Sequence, residues 1–137
     1  MTSYQAFLQL LADNYKFELE AQKRICKMNN VTIDNICNNS NYDFKTSDGH
    51  SYEVKADHLA LRTGNFYIEF MGYGKLSGIS ITQANYYIIT DTLYYFKISI
   101  DELKKICQNC DVKKTKDGLT FGYLLNRFKL IKHSICI

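Results

Sequence analysis

The sequence predicts an α/β (α+β) fold in which one mixed sheet carries a long N-terminal helix. Three observations predict it. Residues 3–28 place apolar side chains at helical spacing. Residues 41–56 read as two β-arms around the turn Ser47-Asp48-Gly49. Asn65–Met71 and Tyr86–Thr90 are rich in β-favouring residues, with a short helical candidate, Ser80–Asn85, between them.

The chain has 137 residues, 46% of them hydrophobic and 23% charged. That length predicts one domain over 1–137, with a core at about 3–90 and a basic C-terminal extension at about 99–137. The composition excludes a disordered or fibrous chain. No apolar run approaches the roughly 18–20 residues of a membrane-spanning helix, and the start does not read as a signal peptide. Five cysteines, an odd number, without an export signal predict a reduced, cytoplasmic protein. In a eukaryotic virus the place would be the nucleus or a viral factory. The chain lacks Trp and Pro and is rich in Asn, Lys, Ile and Tyr, as in products of AT-rich viral, phage or bacterial genomes.

Taken in order, Thr2 or Ser3 caps the first helix. Its inward stripe runs Phe7, Leu11, Glu18, Ala21, Ile25 and Met28. Lys23, Arg24 and Lys27 favour its C-terminal dipole, and Asn29-Asn30 ends it. Residues 31–41 form an Asn-rich connector with a short strand at Val31–Ile33. Asn41–Thr46 and Ser51–Ala56 are the hairpin arms. Gly72, Gly74 and Gly78 make the segment after Met71 a flexible loop. Tyr86–Thr90 is wholly apolar and central, and Thr92–Ile98 is its neighbour. Ser99-Ile-Asp-Glu102 is a capping box for a helix over Ile100–Asn109. Asp111–Gly118 reads as a basic loop. Leu119–Ile131 reads as a strand followed by a strand or short helix.

The chemistry gathers on the hairpin. Glu53 and Lys55 lie two residues apart on one arm, so they share a face, and the turn brings Asp43 beside them. Val54 and Phe44 then point into the core. Two carboxylates supply hard oxygen ligands for Mg²⁺ or Mn²⁺. Such a metal polarises a phosphate and generates a hydroxide. A neighbouring ammonium orients the water and offsets charge growing on phosphorus. The alternative is a cross-strand ion-pair ladder of Lys45, Glu53 and Lys55 on a solvated face.

Asp43, Glu53 and Lys55 resemble the D…(D/E)-x-K signature of the PD-(D/E)XK nuclease superfamily, which includes restriction endonucleases and Holliday-junction resolvases. Tyr42 stands where the family has its proline. The resemblance implies a restriction-endonuclease-like αβββαβ core and a metal-dependent DNA endonuclease acting on branched or junction DNA. It also implies the Val54 carbonyl as a metal ligand and Gln83 as a polar residue near the site. Glu18, on the inward helical stripe, either completes the site or edges the core. Glu20 sits at helical spacing from Lys16 and Arg24, an outward setting. Glu69, enclosed in Phe66-Tyr-Ile-Glu-Phe70, is either a further metal ligand or an outward polar residue.

Residues 101–137 carry eight Lys/Arg against four Asp/Glu, and the remainder is slightly acidic. Lys75, Tyr73, Lys104, Lys105, Lys113, Lys114, Lys116, Arg127 and Lys129 are the candidate DNA contacts, with His58 and Arg62 within reach of a phosphate. Cutting two strands of a junction would require a homodimer. Cys107, Cys110, His133 and Cys136 have ligand types and spacing compatible with structural Zn²⁺, or they are packing residues. A competing function is a non-catalytic nucleic-acid-binding or regulatory module on the same fold. A third is an interaction protein without DNA affinity.

Overall fold

The computed structural model describes residues 2–37 and 42–137. The expected connector over 31–41, and Asn41 at the start of the hairpin, lie partly outside the described residues. The fold is α+β, with a mixed sheet and helices. Its elements are α1 (Ser3–Asn29), β1 (Ile33–Ile36), β2 (Phe44–Thr46), β3 (Ser51–Ala56), α2 (Ala60–Thr63), β4 (Asn65–Gly72), β5 (Lys75–Leu76), β6 (Tyr86–Thr90), β7 (Tyr95–Ser99), α3 (Ile100–Cys107), β8 (Asp111–Lys114), β9 (Thr120–Asn126), α4 (Arg127–His133) and β10 (Ile135–Cys136). Among the described residues, no helix is long and apolar enough to cross a membrane.

Helix α1 starts where its chemistry says it should. The Thr2 hydroxyl accepts a hydrogen bond from the Gln5 N–H, and the Gln5 Oε1 accepts one from the Thr2 N–H. Asn30 closes it in the left-handed conformation. Only its C-terminal half packs on the protein. Ala21 and Ile25 are buried against Phe44, Tyr52, Ile88 and Tyr95. Phe44 and Tyr52 stack across the hairpin, each contributing roughly 1.5–3 kcal/mol by burial.

The strands form two sheets, where the sequence predicts one. The first has the order β1-β2-β3-β6-β7-β10, the second β5-β4-β9-β8. In the first sheet β3 and β6 are parallel and every other pairing is antiparallel. Strand β4 does not join β3. It leaves for the second sheet, pairing with β9 over nearly its whole length. A larger core fills the space between the sheets and α3, from Phe66, Ile68, Ile89, Phe96, Leu103 and Leu125 among others.

Four further expectations are corrected. Ser80–Asn85 is not a helix; a single 3₁₀ turn spans Gly78–Ser80 instead. Asn85 is engaged with β3, its side chain accepting from the Ser51 N–H at 2.7 Å and its N–H donating to the Ser51 carbonyl at 3.0 Å. The glycine-rich segment after Met71 is a β-hairpin. Tyr73 and Gly74 both have positive φ at its tip, the two-residue turn that suits antiparallel strands. Asp111–Lys114 is a strand rather than a loop. Residues 99–137 are no extension, because β8, β9 and β10 complete both sheets.

Candidate functional site

Between the two sheets opens a cleft of about 820 Å³. One wall is β3 and β6, with Glu53, Lys55 and Tyr87. The other is β4, β8 and β9, with Tyr67, Glu69 and Lys113. Strand alternation sets the first wall. Tyr52 turns toward α1, so Glu53 and Lys55 turn the other way. The hairpin register pairs Phe44 with Tyr52, which puts Asp43 opposite Glu53. The parallel register sets Tyr87 directly beside Glu53.

The polar contacts are specific. The Val54 N–H donates to Asp43 Oδ2 at 2.7 Å. The Asp43 N–H donates to the Tyr52 carbonyl at 2.8 Å. Lys55 Nζ lies 4.0 Å from Glu53 Oε1. The Glu53 side chain is only 13% exposed, and its Oε2 is buried with no hydrogen-bond partner among the described residues. The neighbouring Tyr87 hydroxyl is likewise buried and unpartnered. An unsatisfied carboxylate oxygen inside a protein is costly.

Electrostatics knit the group together. Burial raises the Asp43 carboxyl, against the lowering by the Val54 N–H and the Lys55 charge. Burial also raises Glu53; Lys55 opposes it, Asp43 reinforces it, and the hydroxyls of Tyr87 and Thr82 face it. Glu18 is pushed up to about 7, first by burial and then by Asp43. So Glu18 does turn toward the site from α1, whereas Glu20 pairs outward with Arg24 at 3.1 Å.

Glu69 faces the cleft and is anchored there. Its Oε2 accepts from Ser77 Oγ at 2.9 Å. A register shift between Glu69 and Met71 marks a bulge in β4, the device that re-aims a side chain beside a site. Gly78 closes this corner: its φ is +51°, and a Cβ there would meet the Glu69 carbonyl oxygen at 2.2 Å. Gly122 is required in the same way, since a Cβ would strike the Tyr67 ring lying across β9. Tyr67 also bonds Thr120, at 3.0 Å.

Asp43, Glu53 and Lys55 therefore stand together, with Glu18 beside Asp43; Glu53, Lys55 and Glu69 line the cleft, whereas Asp43 and Glu18 do not. Gln83 does not join them; it is exposed and lines no part of the cleft. Thr82 faces Glu53 in its place. The basic residues divide. Lys113 lines the cleft, and Lys114 and Lys116 are exposed on the same strand and its turn. Tyr73 and Lys75 are exposed on the β4–β5 hairpin, and Lys104 and Lys105 on α3; none of the four lines the cleft. Lys129 is half-buried on α4.

Arg127 is not free for phosphate. It pairs with the wholly buried Asp91 and lies over the Tyr94 and Phe96 rings. Nor do Cys107, Cys110, His133 and Cys136 converge. Burial pushes the Cys107 thiol up to about 12. Cys110 donates to the Ile106 carbonyl, His133 bonds Glu102 at 2.9 Å, and Cys136 pairs along β7.

Among the described residues, no three His, Cys, Asp or Glu side chains form a ready metal cage. Mg²⁺ rarely needs one, because it is held by one or two carboxylates and keeps its waters. The donor set here suits that habit. Glu53 Oε2 lacks a partner, and Asp43 keeps one oxygen outside its Val54 bond. The N–H and carbonyl of a strand residue face the same neighbour, so the Val54 carbonyl shares the edge that Asp43 occupies. Tyr87, Thr82, Ser77 and Tyr67 were not singled out as site residues by sequence. Tyr87 carries a signal only once the β3–β6 register is known. No family model matches the chain, and no curated protein matches it.

Proposed function

We propose that the protein is a metal-dependent phosphodiesterase that cuts DNA, in the manner of the PD-(D/E)XK nucleases that Asp43, Glu53 and Lys55 resemble. The observation that carries the reading is the nearly buried Glu53 carboxylate, with Lys55 at 4.0 Å and Asp43 opposite, on the wall of an open cleft. The hairpin and the parallel β3–β6 pair are compatible with it, although β4, the third strand of the implied αβββαβ core, lies in the second sheet. The crossover between them carries β4 and β5 in place of a helix.

Asp43, Glu53 and the Val54 carbonyl would hold a Mg²⁺ or Mn²⁺ ion, which supplies Lewis acidity and a water of lowered pKa. Lys55 orients the attacking water and offsets charge on the phosphoryl oxygens. One phosphorus–oxygen bond forms to the water oxygen as the bond to the leaving ester oxygen breaks. The water's proton leaves to solvent, and the leaving oxygen takes one up. Glu18 and Glu69 flank the site, and Lys113, with Lys114 and Lys116 beside it, meets the backbone.

The test is cleavage of supercoiled plasmid and of a synthetic four-way junction in Mg²⁺, Mn²⁺ and EDTA. The expected outcome is metal-dependent cutting that falls at least 10²-fold, roughly, in Lys55→Ala. Tight binding without cutting would favour a non-catalytic DNA-binding module. Cutting that survives Lys55→Ala would remove the proposed site.

A further inference from the structure

We infer that a second copy of this chain packs against the projecting half of α1, so that the protein is a dimer joined helix to helix. The inference holds whether or not the cleft hydrolyses anything. Of the 27 residues of α1, only Ala21, Gln22 and Ile25 are buried, all toward its C-terminal end. The first four turns touch no sheet strongly enough to be covered. Tyr4, Phe7, Leu8, Leu11, Tyr15 and Leu19 are between 40% and 69% exposed. Spaced by threes and fours, they form one stripe along the helix.

The amount of exposed surface is the first argument. Those six side chains leave on the order of 700 Å² open to water, more than a monomer usually exposes in one patch. A stable interface takes about 800 Å² from each partner. At roughly 25 cal/mol per Å² removed from water, covering such a stripe is a substantial gain on association.

Charge selects the occupant. Residues 2–12 hold no charged side chain. A helix lying on a membrane surface carries Lys and Arg along its polar face, and nucleic acid demands cations. The uncharged stretch over residues 2–12 suits a second such stretch in a two-fold pairing, since the charges of α1 begin only at Asp13. The stripe also continues into a groove of about 680 Å³ lined by Tyr15, Leu19, Cys26 and Ile33 and rimmed by the charged Lys16, Glu20 and Lys23. Gln22 is 7% exposed, yet its Nε2 has no hydrogen-bond partner among the described residues.

The arrangement has a consequence for the cleft. The Phe17 ring lies 6.1 Å from His58, in the turn after β3, and Glu18 faces Asp43. The projecting stripe thus begins beside the site, and a dimer joined along it keeps each site next to the interface.

The test is the molar mass of the full chain by light scattering from about 5 to 100 µM, with the double variant Leu8→Glu/Leu11→Glu beside it. Both leucines are nearly half exposed, so the variant should retain its circular-dichroism spectrum. The expected result is twice the 15.9 kDa of one chain for the wild type and a single chain for the variant. A wild type that stays a single chain throughout overturns the inference and leaves the stripe to another molecule. A dimer that persists in the double variant overturns it equally. If the variant unfolds, a photo-crosslinking side chain at Leu11 decides. Crosslinked dimer from position 11, and none from the exposed Val112 on β8, supports the interface. No crosslink at position 11 sinks it.

Discussion

Two carboxylates held in uncomfortable surroundings define the site at the residue scale. Glu53 is a nearly buried carboxylate faced by the Tyr87 and Thr82 hydroxyls, and Glu18 sits near enough to Asp43 for repulsion to add to burial. The Glu18 shift has a thermodynamic signature. The folded chain holds its proton up to about 7 where the ordinary value is 4.5. The resulting stability is fully present below the lower value and is lost as pH rises through the upper one. Glu18→Gln removes that loss. In EDTA the variant should melt at a higher temperature than the wild type at pH 8, with the difference shrinking at pH 4.5. A difference independent of pH would show that Glu18 does not titrate in this way. Lys55, half exposed and 4.0 Å from Glu53, offsets only part of the local negative charge, which leaves room for a divalent cation.

At the scale of elements, the same residue types do different work according to what surrounds them. Arg127 and Lys113 both read as phosphate contacts in the sequence. Arg127 tethers α4 to the end of β6 by pairing with buried Asp91. Burial alone would raise the Asp91 carboxyl, but the Tyr94 and Leu93 N–H groups and Arg127 outweigh it and hold it below the usual range. Arg127→Ala should therefore cost about 3 kcal/mol in urea denaturation, because it strands a buried charge. Lys113→Ala should cost under about 0.5 kcal/mol while weakening DNA binding. Equal stability losses would contradict the assignment. This contrast shows where the sequence is legible. Local signals read correctly: the Thr2 cap, the Ser99 cap, the Asp-Gly turn and the apolar run at 86–90 are decided by neighbours in the chain. Asp43, Glu53 and Lys55 were readable for the same reason, since one hairpin carries all three. Pairings across distance were not. Whether β4 joins β3 or β9 depends on a partner about 55 residues away in sequence, which no local periodicity encodes. Tyr87 and Thr82 reach Glu53 only through the parallel register. The cysteine and histidine spacing reads as a zinc set because spacing ignores orientation; in the fold Cys107 faces Cys110, whereas His133 bonds Glu102.

At the scale of the whole molecule, the second sheet is what turns a charged hairpin into a site. Without β4, β8 and β9, Glu53 and Lys55 would lie on an open surface, where carboxylates are hydrated and hold metals weakly. With them, the residues line a cleft whose far wall adds Glu69 and Lys113. The central claim is that this enclosure makes the Glu53 carboxylate a metal ligand. The most direct measurement is Mn²⁺ binding at pH 8, followed by the paramagnetic resonance of the free ion, for the wild type and for Glu53→Gln. The account predicts that the wild type depletes the free-ion signal and that the variant, still folded, loses at least tenfold, roughly, in affinity. Equal depletion by both proteins would contradict it.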